Sequence, residues 1–141
     1  MAANLQGKLT VFIERHKFLI IVLLVTFFIR LPSLYEPFWY GDEAIYAVIG
    51  QKILRGGLMF VDIFDHKTPG IYYLTAASLK AFGQTIWSLH FVLMIWVLAT
   101  LVAFFYLSKK LFDQRTAQFA TVIFALLTAT PLIEGNIFNS E

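Results

Sequence analysis

The sequence predicts an all-α, polytopic membrane protein with three transmembrane helices and two juxtamembrane amphipathic helices in its first outer loop. The chain of 141 residues is 59% hydrophobic and only 14% charged, whereas soluble domains are nearer half apolar with about 25% charged residues. Its mean hydropathy is +0.73. A soluble domain of this size cannot bury so many apolar side chains, so lipid must cover the remainder.

The first predicted element is a transmembrane helix over about residues 13–31. An apolar run from Phe18 to Ile29 extends at both ends to the roughly 17 residues that a bilayer requires. Arg30-Leu31-Pro32 follows the run, where a signal peptide would carry small residues for cleavage, so an uncleaved anchor is favoured. Basic residues precede the run, which predicts a cytoplasmic amino terminus.

Two further spans are predicted over about residues 87–107 and 116–133. The first of these contains a single titratable side chain, His90, and is long enough to cross the hydrocarbon core. The short connection around residues 109–115 carries a positive excess, which predicts a cytoplasmic location. Residues 32–86 therefore form one long outer loop.

Two helices that do not cross the membrane are predicted within this outer loop. Residues 42–55 place isoleucines at helical spacing and are followed by two glycines, which is typical of an amphipathic helix at the interface. Residues 68–82 begin with Thr-Pro and are followed by Gly83, good start and stop signals. About 14 helical residues reach roughly 21 Å, short of the 30 Å hydrocarbon core.

Two groups of charged residues in the outer loop are candidates for a functional site. Asp42-Glu43 follows an aromatic and proline turn, and either serves a site or places Asp42 as the cap of the next helix. Asp65-His66-Lys67 precedes the second helix, where the helix dipole and backbone N–H groups favour a phosphate. A solvated polar turn is the alternative.

Polar residues near the carboxyl terminus and aromatic residues of the outer loop allow two interpretations each. The first set either faces Asp42 across a cavity or ends a helix at the interface: Glu134, Asn136, Asn139 and Glu141. The second set either anchors the protein among lipid headgroups, which is favoured, or stacks on a sugar: Trp39, Tyr40, Tyr46, Tyr72, Tyr73 and Trp87.

Several classes of protein and of site are disfavoured. The net charge is +2 without a basic run, which makes nucleic acid an unsuitable partner. Cysteine is absent, which removes thiolate metal sites. No second histidine stands at ligand spacing, so no metal ligands are assigned, although carboxylates suit Mg²⁺ or Mn²⁺ if a metal binds. Charges lie at span ends and in loops, which disfavours a transporter.

The order of the loop motifs resembles that of a known enzyme family. Arg30-Leu31-Pro is followed by aromatic residues, by Asp42-Glu43 with Tyr46, and then by His66-Lys67-Thr-Pro-Gly-Ile-Tyr-Tyr. This order resembles membrane glycosyltransferases of the GT-C fold, most closely the protein O-mannosyltransferase and lipid A aminoarabinose transferase group. The resemblance covers nearly the whole chain. It implies sugar transfer from a polyprenyl-phosphate donor to a protein or lipid acceptor at the outer face of the plasma membrane.

The resemblance also implies roles for individual residues. Asp42 matches the catalytic carboxylate of the first loop, Glu43 is its acidic neighbour, and Lys67, beside His66, matches the residue that contacts the carrier phosphate. Glu141 stands where the family has its second-loop acid, although several members have Asp there.

The resemblance bears on the completeness of the chain as well. Family members are several times longer, so the resemblance implies that residues 1–141 are the amino-terminal part of such an enzyme, inactive alone. The alternative is a non-catalytic membrane module that binds a polyprenyl-phosphate lipid or a partner subunit.

Overall fold

The computed structural model describes residues 2–38, 40–130 and 135–138. These residues form five α-helices and one short 3₁₀ helix, and the described part of the chain contains no β-strand. The helices are α1 (Ala2–Arg30), α2 (Gly41–Leu54), α3 (Pro69–Phe82), α4 (Ile86–Leu111) and α5 (Gln114–Thr128), with the 3₁₀ helix at Pro32–Tyr35. The all-α prediction is confirmed for these residues.

Two of the helical segments are long and apolar enough to cross a membrane. They are Val11–Tyr35, which contains most of α1, and Ile86–Leu111, which is α4. They coincide with the first two predicted spans. The third predicted span, residues 116–133, corresponds to α5, which has 15 residues and therefore reaches only about 23 Å. Residues 131–134 lie outside the described part of the chain, so this third crossing stays a prediction.

The two helices predicted in the outer loop have the expected ends. α3 begins at Pro69 directly after Thr68 and ends before Gly83, whose φ of 96° is favourable for glycine. α2 ends before Gly56, which also has a positive φ, of 93°. The Thr-Pro start signal and the glycine stop signals therefore located both helices correctly.

The predicted isoleucine face of α2 is buried in part. Ile49 is 6% exposed and Ile53 packs against the same buried cluster, whereas Ile45 is 46% exposed. Tyr46 is fully buried and Gly50 is also buried. Gly50 lies so close to α3 that a Cβ atom there would be 2.8 Å from Thr75 Cγ2. Small residues allow helices to approach closely, so the α2–α3 contact combines the close approach at Gly50 with the burial of Tyr46, Tyr72 and Leu79.

Substitution of Gly50 by valine is expected to destabilise the fold by about 1–3 kcal/mol, the usual cost of overpacking. Thr75 has little freedom to move away, because its hydroxyl donates to the Ile71 carbonyl at 2.8 Å. The matched control is Gly41→Val, because a Cβ atom at Gly41 meets nothing within 4 Å. Denaturant titration in detergent measures both variants, and equal stabilities would contradict the close contact.

The remaining helices form a bundle on which the α2–α3 pair rests. α4 contacts α1, α3 and α5, and its amino-terminal part supplies Leu89 to a buried cluster with Tyr46, Tyr72 and Phe138. On α5 the buried residues Ala117, Thr121 and Ala125 follow one another at four-residue spacing. This small-residue stripe lets α5 lie close to its neighbours. The α2–α3 pair is thereby held at the amino-terminal end of α4.

Candidate active site

Asp42 and Lys67 meet at one end of the α2–α3 pair. Lys67 Nζ lies 3.5 Å from Asp42 Oδ2, and the two side chains are 12% and 27% exposed, respectively. The hydroxyl of Tyr46, one turn further along α2, donates to the same carboxylate oxygen at 3.3 Å. Tyr40 occupies the N-cap position of α2. The interpretation of Asp42 as a simple helix cap is therefore wrong, and its carboxylate faces Lys67.

α2 and α3 run parallel, so their amino termini lie at the same end. Three contacts join the two segments, and the residue numbers rise in the same order on both sides. They are Asp42 with Lys67, Tyr46 with Tyr72, and Gly50 with Thr75. The positive ends of two helix dipoles consequently meet beside the Asp42–Lys67 pair.

The amino terminus of α3 adds backbone donors to this positive region. The side chain of Thr68, at the N-cap position, makes no capping hydrogen bond, and Pro69 has no N–H group to donate. The other first-turn N–H groups of α3 are therefore not capped by Thr68. Together, these groups and the Lys67 ammonium can bind an anionic ligand.

Glu43 points in a different direction from Asp42 and belongs to the protein interior. It is 1% exposed, and its Oε1 lies 3.2 Å from His90 Nε2 on α4. The same oxygen accepts the backbone N–H of Phe138 at 2.7 Å. Adjacent helical residues point about 100° apart, which explains how neighbouring acids reach different surroundings. Glu43 thus joins α2 to α4 and to the segment 135–138.

His66 lies at the exposed edge of the site. Its side chain is 79% exposed, and its Nδ1 lies 2.9 Å from the Oδ1 atom of Asp65. Among the described contacts, His66 does not reach Asp42. The structure therefore brings Lys67 to Asp42 and leaves His66 at the edge.

Tyr72 lies fully buried beneath this edge. Burial raises the pKa of the Tyr72 hydroxyl, and the nearby Asp65 carboxylate raises it further, although the two groups do not reach good hydrogen-bonding geometry. Partial burial raises the pKa of Asp65, but its contacts with Tyr72 and His66 lower it, and the net shift is downward. The raised pKa of Tyr72 keeps its hydroxyl protonated at neutral pH, and the lowered pKa of Asp65 keeps that carboxyl ionised.

The segment 135–138 returns to the same end of the molecule as Asp42. Arg30, 1% exposed, donates to the Thr128 carbonyl and, at 2.8 Å, to the Gly135 carbonyl. Glu43 holds the other end of the segment through Phe138. Asn136, one of the polar residues predicted after the third span, therefore lies at the same end of the molecule as Asp42, as expected. Glu141 itself lies outside the described residues, as do Glu134 and Asn139, and a role for Glu141 stays a prediction.

The favoured interpretation of the aromatic residues as headgroup anchors is wrong for two of them. Tyr46 and Tyr72 are fully buried and pack edge to face, with ring centroids 5.6 Å apart. Tyr73 and Trp87 are 53% and 37% exposed, as headgroup anchors or sugar-stacking residues would be. Trp39 lies outside the described residues.

Arg30 and His90 are structural partners of the site that sequence reasoning did not assign. The signal for His90 was present, because it is the single titratable residue in an otherwise apolar span and such residues usually have a partner. The signal for Arg30 was weaker, because a basic residue at a span end commonly extends towards the interface. Among the described residues, no group of three or more histidine, cysteine, aspartate or glutamate side chains is arranged to hold a metal ion.

Comparison with known proteins gives one match. The sequence model of the dolichyl-phosphate-mannose-protein mannosyltransferase family matches residues 66–137, just over half of the chain. No curated protein matches the sequence, and no solved structure matches it. The matched segment contains Lys67 and His90, while Asp42 and Glu43 precede it. Two apolar helices of spanning length agree with a membrane enzyme, and the chain belongs to the dolichyl-phosphate-mannose-protein mannosyltransferase family.

Proposed function

We propose that this chain forms the catalytic end of a membrane glycosyltransferase that moves a sugar from a polyprenyl-phosphate carrier to a hydroxyl group of a protein or lipid. The observation that carries the proposal is the contact between Asp42 and Lys67 at 3.5 Å. It places a candidate base beside a candidate phosphate ligand where two helix amino termini meet. The family match supports the donor class.

Asp42 acts as the general base in the proposed reaction. The acceptor oxygen attacks the anomeric carbon, its proton passes to the Asp42 carboxylate, and the bond from that carbon to the phosphate oxygen breaks with its electron pair leaving on the phosphate. Attack opposite the departing group inverts the anomeric configuration. The Tyr46 hydroxyl, which donates to Asp42 Oδ2, orients the carboxylate.

Lys67 stabilises the phosphate that leaves with the polyprenyl chain. Its ammonium is 12% exposed, and a charge-assisted hydrogen bond shielded from bulk water is stronger than one at an exposed surface. The uncapped first turn of α3 adds backbone donors to the same anion. His66 adds positive charge at the outer edge when it is protonated. A Mg²⁺ or Mn²⁺ ion at the carboxylates stays a prediction.

Glu43 contributes as a positioning residue and not as a second base. Its carboxylate is occupied by His90 and by the Phe138 backbone, so it fixes the first turn of α2, which carries Asp42. Through Phe138 it also fixes the segment that leads to Glu141, the proposed second acid of the site.

The proposed orientation places the Asp42–Lys67 pair at the outer face of the plasma membrane and the amino terminus in the cytoplasm. Lys109 and Lys110 at the carboxyl end of α4, and Arg115 at the start of α5, lie at the other end of α4 from His90, consistent with the positive-inside rule. We propose that residues 1–141 act as part of a longer enzyme and are inactive alone.

Replacement of Lys67 by alanine is expected to lower kcat/KM for sugar transfer by about 10²-fold, since a single donor to developing negative charge contributes at least that factor. The assay uses membranes from cells that express the longer enzyme of which the chain is proposed to be part, a radiolabelled polyprenyl-phosphate mannose and a hydroxyl acceptor. Lys80→Ala is the matched control, because Lys80 is an exposed lysine near the far end of α3. If donor affinity and turnover are both unchanged in Lys67→Ala, the proposed role is wrong.

The alternative function is a non-catalytic module that binds a polyprenyl-phosphate lipid or a partner subunit. The same assay distinguishes the two functions, because a binding module retains the labelled donor and transfers no sugar in the longer protein. The Asp42–Lys67 contact favours transfer. A carboxylate beside the ammonium weakens phosphate binding by charge repulsion, so a site that only bound phosphate would gain nothing from Asp42, whereas a transferase needs it as a base.

A further inference from the structure

A second polar pocket lies at the opposite end of the two apolar helices from the Asp42–Lys67 pair. It has a volume of about 260 Å³ and is lined by Arg15 and His16 of α1, by Lys109 of α4 and by Gln114 at the start of α5. His90 and Lys109 are separated by about 28 Å along α4. This distance is close to the roughly 30 Å thickness of a hydrocarbon core, so the pocket lies at the depth of the opposite headgroup layer.

The positive charges of this pocket are not neutralised by carboxylates within the described part of the chain. Glu14 pairs with Lys17 at 3.2 Å and leaves Arg15 without an acidic partner. Asp113 accepts the backbone N–H groups of Arg115 and Thr116 at 2.7 and 3.0 Å. Arg15 and Lys109 therefore converge on a polar cavity with uncompensated charge, which favours an anion.

The floor of the pocket is apolar and faces the membrane core. Phe18 and Phe105 line its inner side, with ring centroids 5.8 Å apart. Above them the Tyr106 hydroxyl lies 3.1 Å from His16 Nδ1, which links α1 to α4. Positive side chains over aromatic residues match a phosphate that carries acyl chains better than a free phosphate ion, because free phosphate gains nothing from the apolar floor.

We propose that this pocket binds the phosphate headgroup of an anionic phospholipid in the cytoplasmic leaflet. Arg15 and Lys109 donate to the phosphate oxygens, and the acyl chains pass over Phe18, which is partly exposed and packs on the buried Phe105. The site is separate from the proposed sugar-transfer site, and its occupancy does not depend on donor binding or on transfer. The bound lipid holds α1 against α4 at the end remote from Asp42.

The test compares lipid retention by the full 141-residue chain in nanodiscs of phosphatidylcholine with a minor fraction of phosphatidylglycerol. Native mass spectrometry after release from the nanodisc counts the lipids that stay bound. The pocket variant is Arg15→Gln with Lys109→Gln. The control variant is Lys110→Gln with Arg115→Gln, which removes the same charge from the same end of the molecule but from exposed side chains outside the pocket lining.

The wild-type chain should retain phosphatidylglycerol over phosphatidylcholine, and the pocket variant should bind it about 10²-fold more weakly, since each of its two lost charge-assisted hydrogen bonds is worth roughly tenfold. The control should stay within about twofold of wild type, because long-range effects of exposed charges are screened. Soluble glycerol phosphate should not compete. Absence of a lipid preference in the wild-type chain, equal losses in both variants, or effective competition by glycerol phosphate would overturn the proposal.

Discussion

Replacing Asp42 by asparagine is expected to lower the rate of sugar transfer by about 10²–10⁴-fold, the usual contribution of a general base. Asparagine has nearly the same shape, and its amide oxygen can still accept the Tyr46 hydroxyl that now donates to Asp42 at 3.3 Å. It cannot accept the proton of the acceptor hydroxyl at neutral pH. The protein should therefore remain folded and lose turnover.

The control for Asp42→Asn is Asp62→Asn, which neutralises an exposed outer-loop carboxylate whose Oδ2 accepts the backbone N–H of Leu58. Initial rates at saturating donor, in membranes that contain the longer enzyme, should fall only in the Asp42 variant, with equal amounts of protein extracted. A rate within about threefold of wild type for Asp42→Asn would exclude general-base catalysis by this residue, because that loss is far below the contribution of a base.

Replacing Glu43 by alanine is expected to destabilise the protein by about 3–5 kcal/mol, the usual cost of removing one partner from a buried charged or polar contact. The Glu43 and His90 side chains are 1% and 3% exposed, so water cannot compensate for the lost carboxylate. The backbone N–H of Phe138 also loses its acceptor at 2.7 Å. Both losses occur in the interior, which is why we expect the largest stability effect here.

Glu43→Gln distinguishes the loss of hydrogen bonds from the loss of charge. Its amide oxygen can keep the Phe138 N–H bond, so its loss should be smaller than that of Glu43→Ala by at least about 1 kcal/mol, the value of one hydrogen bond. Denaturant unfolding in detergent micelles gives both values. If Glu43→Ala has wild-type stability, the buried connection between α2, α4 and Phe138 does not hold the fold together.

Local signals in the sequence were sufficient to locate most helices. Thr68-Pro69 and Gly83 bounded α3 correctly, since the start and stop of a helix depend on backbone geometry within a few residues. The apolar runs located α1 and α4 for a similar reason, because length and hydropathy are local properties. The loop motif also indicated Asp42 and Lys67, which the structure brings together at 3.5 Å.

The contacts that hold the site in place depend on distant parts of the chain and were not predictable in this way. Arg30 donates to Gly135, 105 residues away, and Glu43 meets His90, 47 residues away. The close approach of α2 to α3 at Gly50 was not indicated by the isoleucine periodicity. Periodicity reports which residues are apolar and not which neighbour a helix will meet.

The most direct test of the Asp42–Lys67 site is the binding of sugar-free polyprenyl phosphate to purified wild-type, Lys67→Ala and Asp42→Asn proteins. Lys67→Ala should bind the lipid more weakly by about tenfold or more, since it loses a charge-assisted contact with the phosphate. Asp42→Asn should bind it at least as tightly as wild type, because a like charge beside the phosphate is removed. Weaker binding by both variants, or unchanged binding by Lys67→Ala, would contradict the division of roles between the two residues.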